Sequence, residues 1–368
     1  MIKNNVDKQY LNYLKYILDN GVRKLDRTGT GTISIFDYSM RFNMKEGFPL
    51  LTSKKVFLKG VIHELIWFLR GDTNIRYLVE NGVNIWNGDA YKNYLKNIML
   101  SSSGEWCAVE EFSDGGYRPR PYTQEEFIEL VKTDDDFAKK WGELGPVYGK
   151  QWRAWGGYNK KPSGWHHGQV TSYKTESNND QITELIDRLK NDPDSRRLMV
   201  MAWNVEELPK MALPPCHFGF QCYTSELSYQ QRIKWWCDNL GKHISYADDL
   251  NERKLDELKV PKRKLDLKWF QRSVDSPLGL PFNIASYAIL LHLLSKEVNM
   301  IPGDLIFSGG DCHIYTNQVD GVEEQLDRKT YKLPKIKLNN KSIFDLKYED
   351  IEIIGYESST TIHFPLSN

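Results

Sequence analysis

The segment MALPPCHFGFQCY sets Cys216 directly after two prolines and ahead of a run patterned like a strand. Prolines fix φ, so the thiol is expected on a rigid turn at the mouth of that strand. A lone free cysteine is most often a buried structural one. A nucleophilic role needs thiolate, which is only a few per cent of an ordinary thiol at neutral pH and which nearby cations increase. The arginine supply is therefore what matters. DPDSRRLMVMAW puts Arg196 and Arg197 just ahead of a strand, QRSVDSPLGLPFN puts Arg272 and Ser273 in a tight glycine-containing loop, and LDRTGTGTIS puts Arg27 in a threonine–glycine turn. Singly, each reads as a surface charge. Guanidinium forks beside hydroxyls at element ends are also what a phosphate monoester requires. The Gly-Thr-Gly-Thr turn lacks the Lys and the spacing of a P-loop.

GGDCHIYTN sets His313 and Tyr315 two apart on an expected strand, hence on one face, where two polar rings can hold a sugar hydroxyl or pack as satisfied core residues. Glu64 lies inside the otherwise apolar HELIWFL, and a carboxylate there is costly unless paired. His166-His167 has no Cys or carboxylate at ligand spacing, so no metal site is expected.

The elements that must carry these residues follow from periodicity. Helical spacing of Tyr10, Leu11, Leu14, Ile17 and Leu18 predicts an amphipathic first helix ending at Asn20-Gly21, not a secretion signal. TISIFDYSMRFNM, LMVMAW, HFGFQCYT and LDLKWFQRS read as strands. FLKGVIHELIWFLRG, a polar stretch at about 123–141, QITELIDRLKND and PFNIASYAILLHLLSKEV read as helices, the last very apolar and central. Asp72-Thr73-Asn74 can cap IRYLVENG. Segments at about 100–122 and 156–179 read as loops or insertions, and about 225–264 as a charged, helix-like insertion containing Trp235-Trp236. Helices mixed with strands on varied connections predict a single α+β domain over 1–368 carrying those three insertions.

Bulk properties exclude several classes. The 368 residues carry 49 Lys+Arg and 49 Asp+Glu, so a general nucleic-acid or membrane-surface binder is not expected. With 40% hydrophobic residues a sizeable core is expected. Five cysteines without a CxxC pair suggest neither a zinc site nor a disulfide framework, and fit a reducing cytoplasm. No apolar run approaches the roughly 18 residues a membrane helix requires.

Taken in order, HELIWFLRGDTN, RRLMVMAWN, PPCH, QRSVD, LGLPFNIASYA and GDCHIY resemble the thymidylate synthase family. The resemblance covers residues 6–156, 180–224 and 265–368. It implies a mixed β-sheet with helices packed around it and a sheet-to-sheet homodimer. It implies dUMP as substrate and 5,10-methylenetetrahydrofolate, a reduced folate, as co-substrate, with no metal. Cys216 would add to uracil C6, making C5 nucleophilic. Arg272 would hold the phosphate and lower the thiol pKa, with Arg27 and Ser273 on the same phosphate and Arg196 and Arg197 reaching it from the other subunit. Glu64 would organise water and proton transfer, Tyr148 would help remove the C5 proton, and His313 and Tyr315 would bind the ribose 3′-hydroxyl. Trp86, Asp275 and Leu213 would contact the folate. Asn283 would choose uracil, because a carboxamide matches O4 and N3–H.

The sequence departs from the family at Pro277, at Gln318 where His is usual, at Asp89, and at the polar terminus Ser367-Asn368. Both finishing steps therefore stay open at this point. Hydride transfer gives dTMP and dihydrofolate; water addition, as in some phage relatives, gives 5-hydroxymethyl-dUMP and tetrahydrofolate. A non-catalytic nucleotide- or RNA-binding dimer is the remaining alternative, opposed by neutral charge and by Cys216, Glu64, Tyr148 and Asn283. The expected location is the cytoplasm, a host's if the gene is phage-borne.

Overall fold

The computed structural model describes residues 4–25, 29–98, 107–111, 116–156, 160–166, 169–175, 179–240 and 250–366. Arg27, His167, Ser367 and Asn368 lie outside the described residues. The chain divides into two compact units. One comprises Met1–Val61, Thr183–Val200 and Cys216–Asn368; the other comprises Ile62–Ile182 and Met201–Pro215.

The first unit is built on a six-stranded sheet. Its strand order is Val22–Lys24, Thr32–Asn43, Ile301–Tyr315, Arg263–Asp275, His217–Glu226 and Met199–Met201. Ile301–Tyr315 runs antiparallel to Thr32–Asn43 and parallel to Arg263–Asp275, which is antiparallel to His217–Glu226. The sheet is thus mixed, as expected. Parallel neighbours need a crossover, and the helix Leu280–Glu297 supplies it. Its buried residues run through Leu280, Ile284 to Leu291 and Leu293 to Ser295, on every face. That is why its sequence is apolar all round.

The first helix, Asn5–Asn20, starts where Asn4 Oδ1 accepts from Asp7 N–H. Tyr10 and Tyr13 on its buried face reach Ser276, Tyr10 Oη donating to the backbone carbonyl and Tyr13 Oη sharing a hydrogen bond with Ser276 Oγ at 2.7 Å. They anchor the turn that follows Arg263–Asp275. Gly310 lets the strands close beside Arg272: a Cβ there would stand 2.9 Å from the Arg272 carbonyl oxygen. The helices Tyr229–Leu240 and Glu252–Glu257 form a small core of Trp236, Leu255 and Val260. Buried Arg232 ties them together by donating to Asp256 Oδ1 at 2.6 Å. Trp236 therefore packs the insertion itself.

The second unit carries most of helix Leu58–Leu69 and the helices Arg76–Glu80, Asn87–Ile98, Gln124–Thr133, Asp135–Trp141 and Tyr148–Arg153. The cap expected from Asp72-Thr73-Asn74 is not made at the helix N-cap, which is Ile75 without a side-chain cap bond; Asn74 Oδ1 accepts from Arg76 N–H at 3.0 Å just beside it.

Several local expectations need correction. The single helix at about 123–141 is two, broken at Asp134, whose N–H closes the first on Leu130 O and whose carboxylate accepts from Phe137 N–H of the second. A residue that ends one helix while capping the next is locally indistinguishable from a polar helical one. The 100–122 and 156–179 segments are not simply loops, for they hold the two-stranded ribbons Ala108–Glu111 with Tyr117–Arg120 and Lys160–His166 with Gln169–Thr175. Strands this short, with Pro119 and Pro162 in them, carry little period-2 signal. Arg272 and Ser273 are not in a loop: Arg263–Asp275 continues through both, because Ser273 pairs with Asp311 of the parallel neighbour.

Candidate functional site

In the first unit, sheet register gathers the candidates from three strand ends. Arg272 N–H donates to the Cys216 carbonyl at 2.9 Å. His217 is opposite Gln271 on one side, and Gly309, Asp311 and His313 are opposite Gln271, Ser273 and Asp275 on the other. Cys216 is half-buried, and Arg272 is exposed within its strand. The residue after the cysteine is locked. His217 Nδ1 meets Tyr287 Oη at 2.9 Å, and burial pushes the imidazole down to about 3, so it stays neutral. Tyr287 in turn stacks on Trp269 with centroids 5.2 Å apart.

Asn283 sits in the first turn of Leu280–Glu297, with Oδ1 accepting from Gln271 Nε2 at 3.2 Å. Gln271 is itself oriented by Trp269 Nε1–H, which donates to its Oε1 at 3.2 Å. The Asn283 amide thus keeps a spare lone pair and two N–H donors in a defined orientation. Gln271 was not singled out from the sequence, although its place beside Arg272 in QRS was the available signal.

His313 and Tyr315 share a face as expected, ring centroids 5.1 Å apart and edge to face. His313 Nδ1 meets Asp311 Oδ1 at 3.1 Å, and that bond holds the Asp311 carboxyl below its usual range. With Nδ1 on Asp311, Nε2 is the ring nitrogen through which His313 can meet a hydroxyl. Asp275 accepts from Leu278 N–H at 3.1 Å and from Gln318 Nε2 at 3.3 Å. Burial pushes its carboxyl up. Lys54, also missed in the sequence, is 4% exposed and donates to Pro277 O. Burial lowers its ammonium to about 7, against the opposing pull of Asp275. Arg196 and Arg197 are exposed in the turn before Met199–Met201 and take part in no ion pair among the described residues.

The second unit holds Glu64, Trp86, Tyr148 and Leu213. Glu64 is 8% exposed, and Trp86 Nε1–H donates to its Oε1 at 2.8 Å. Burial raises the Glu64 carboxyl to about 7, Trp86 holding it back only in part. A carboxyl poised there can give or take a proton at neutral pH. Tyr148 opens helix Tyr148–Arg153, its ring 4.8 Å from Phe68 and 6.0 Å from Trp86. Leu213 is half-buried on a segment pinned by Ala212 N–H to Leu144 O at 2.8 Å.

The family model described as Thymidylate synthase matches residues 8–368. The chain belongs to the thymidylate synthase family. Three similar relatives carry the family's name. The thymidylate synthase of Listeria monocytogenes serotype 4a (strain HCC23) is 41% identical over 371 residues, covering 98% of this chain and 99% of its own. Those of Mycoplasma mobile and Mesoplasma florum are 43% and 42% identical, each covering 96% of this chain and 98% of its own. The family match therefore spans the stretches around 225–264 as well as the motifs. Among the described residues no cluster of His, Cys, Asp and Glu is arranged to hold a metal ion, and no helix is long and apolar enough to cross a membrane.

Proposed function

We propose that the chain makes dTMP from dUMP, taking a one-carbon unit and a hydride from 5,10-methylenetetrahydrofolate and releasing dihydrofolate. What supports this most is the full-length family match combined with the Cys216–Arg272 backbone contact at 2.9 Å. Uracil C5 is a poor nucleophile. Cys216 Sγ adds to C6, the C5=C6 electron pair moves onto C4=O as an enolate, and C5 becomes able to attack an electrophilic carbon. Loss of the C5 proton expels the folate amine and leaves an exocyclic methylene; addition of the hydride there makes the methyl group, and the same sulfur leaves C6 as the C5=C6 double bond returns.

Arg272 beside Cys216 favours thiolate and, with Ser273 and Arg27, takes the phosphate. Asn283 Nδ2 donates to O4 and its spare Oδ1 lone pair accepts from N3–H. Cytosine offers the opposite pattern and would leave both groups unpaired. His313 Nε2 and Tyr315 Oη hold the 3′-hydroxyl. Glu64 relays protons near O4, and Tyr148 with water takes the C5 proton.

The co-substrate supplies the electrophilic carbon and the hydride. The residues fit it: Asp275 has two N–H partners for about four acceptor sites, so it can accept further donors from a reduced pterin. Trp86 and Leu213 are the apolar residues that the family resemblance assigns to the folate. We read the two units as one catalytic domain bearing three insertions, working in the cytoplasm as a homodimer in which Arg196 and Arg197 serve the partner's phosphate. Exposed Val22, Phe36, Met199 and Tyr223 on four strands of the sheet support a sheet-to-sheet interface.

The test is product identity. The enzyme is incubated with dUMP and methylenetetrahydrofolate, the nucleotide is identified by mass, and dihydrofolate is followed by absorbance. dTMP with matching dihydrofolate is expected, and Cys216→Ser should make neither. A sole product carrying an extra oxygen, without dihydrofolate, would replace this reading with hydroxymethylation.

A further inference from the structure

Gln318, 1% exposed, has both amide donors and its oxygen engaged. Its Oε1 accepts from Tyr315 N–H at 3.2 Å, and its Nε2 donates to Asp275 Oδ2 at 3.3 Å and to Pro365 O at 3.0 Å. One side chain thus touches the strand end bearing the ribose candidates, the carboxylate assigned to the folate, and the C-terminal tail. The tail is laid down in steps towards that point. Ser359 N–H donates to Thr52 O at 2.8 Å, Arg328 donates to Thr360 O, and Phe364 lies 4.5 Å under Lys54 Nζ. Gly321 leaves room for the ring, since a Cβ there would stand 2.7 Å from Phe364. Among the described residues Pro365 O is the most C-terminal group so held.

We propose that Gln318 is a positioning residue, a latch that makes seating of the tail and alignment of Asp275 a single event. Both donors of this buried amide are committed. Nε2 cannot release Pro365 without leaving a buried N–H unpaired, and cannot turn towards another acceptor without dropping Asp275 and the Tyr315 amide. Tail departure therefore frees the carboxylate to rotate, and a donor arriving on Asp275 is felt at the tail. The proposal rests on the reading of Asp275 as a folate contact and of the tail as a cover over that site.

Two variants separate the bonds. Gln318→Glu keeps an acceptor for Tyr315 N–H but faces Asp275 and Pro365 O with oxygen; Gln318→Leu removes all three bonds. Timed carboxypeptidase digestion of the folded full-length protein reads the tail without requiring turnover, and initial rates give KM for dUMP and for methylenetetrahydrofolate separately. In both variants release of C-terminal residues should quicken, and the folate KM should rise about tenfold, the worth of one buried hydrogen bond, with dUMP KM changed less than about twofold. Some 5-hydroxymethyl-dUMP should appear as water reaches the one-carbon unit. Truncation after Phe364 alone should raise the folate KM by a similar factor, a check that does not need either Gln318 variant to fold. On that background Gln318→Leu should add no further loss of folate affinity, because its tail partner is already gone. Wild-type digestion rates in both variants, parallel changes in both KM values, or additive losses in the truncated enzyme would overturn the latch. If the wild type makes no dTMP, the functional reading fails separately and the digestion still decides the latch.

Discussion

Glu64→Gln should raise stability while lowering activity, and only above a definite pH. The carboxyl is buried, accepts one described hydrogen bond from Trp86 Nε1–H, and is pushed by burial from 4.5 to about 7. Its folded pKa lies above its unfolded one, so between those values the native state binds a proton that the unfolded chain has released. Stability attributable to the group is therefore present below pH 4.5, is lost as pH rises, and stays lost above 7. At about 1.4 kcal/mol per pH unit the displacement amounts to roughly 3 kcal/mol at pH 8.5. Glutamine keeps an acceptor for Trp86 and cannot ionise. Urea unfolding followed by tryptophan fluorescence, at one protein concentration, should show the variant equal to wild type near pH 4.5, ahead by a few kcal/mol at pH 8.5, and in between at pH 6.5. A stability difference independent of pH, or a variant weaker than wild type at pH 8.5, would refute the claim that this carboxylate is held at an electrostatic cost.

Three further expectations follow from the same geometry. Asn283→Asp should keep the bond from Gln271 Nε2 but turn the base preference from dUMP towards dCMP by about tenfold to a hundredfold, the worth of a mismatched buried pair, read as the ratio of kcat/KM values. Mixing Cys216→Ser chains with Arg196→Ala chains, each impaired alone, should restore one intact site per hybrid dimer; hybrids that form without recovering activity would rule out a shared site. For Lys54, lowered from 10.5 to about 7 by burial, the sign reverses: the unfolded chain holds the extra proton, so wild-type stability should rise relative to Lys54→Met between pH 6 and pH 9, a gain that paired denaturation curves would detect.

Much of this was legible because local pattern and tertiary role coincided. The apolar run 280–297 is a central helix because it is buried on all sides, whereas the strand before it runs on through Arg272 and Ser273 to Asp275, further than expected. His313 and Tyr315 share a face by strand periodicity alone. The roles given to the remaining residues came from motifs rather than from spacing. What stayed hidden depended on partners distant in sequence. Lys54 looks like one more lysine in TSKK until Asp275 and Phe364 close over it. Gln271 gains meaning only when Trp269 and Asn283 flank its amide. Gln318 was visible as a departure from the family, but its three partners lie at Tyr315, Asp275 and Pro365, and only the last hydrogen bonds of the fold bring them to one amide.

The two groups displaced to about pH 7 make the general point. Glu64 is a carboxyl raised by burial and Lys54 an ammonium lowered by burial, one in each unit, and each is held by groups that only partly offset the desolvation. Stability alone would favour an apolar residue at either place. Each position instead keeps an ionisable group whose charge changes near neutral pH, so stability should depend on pH there in opposite senses. His217 marks the contrast: the same burial drives its imidazole to about 3, beyond use as a base, and leaves it a neutral prop beside Cys216. Burial alone therefore does not mark a catalytic group. The same cause, burial, leaves Glu64 and Lys54 near pH 7 and His217 near 3, so only the first two change charge around neutrality.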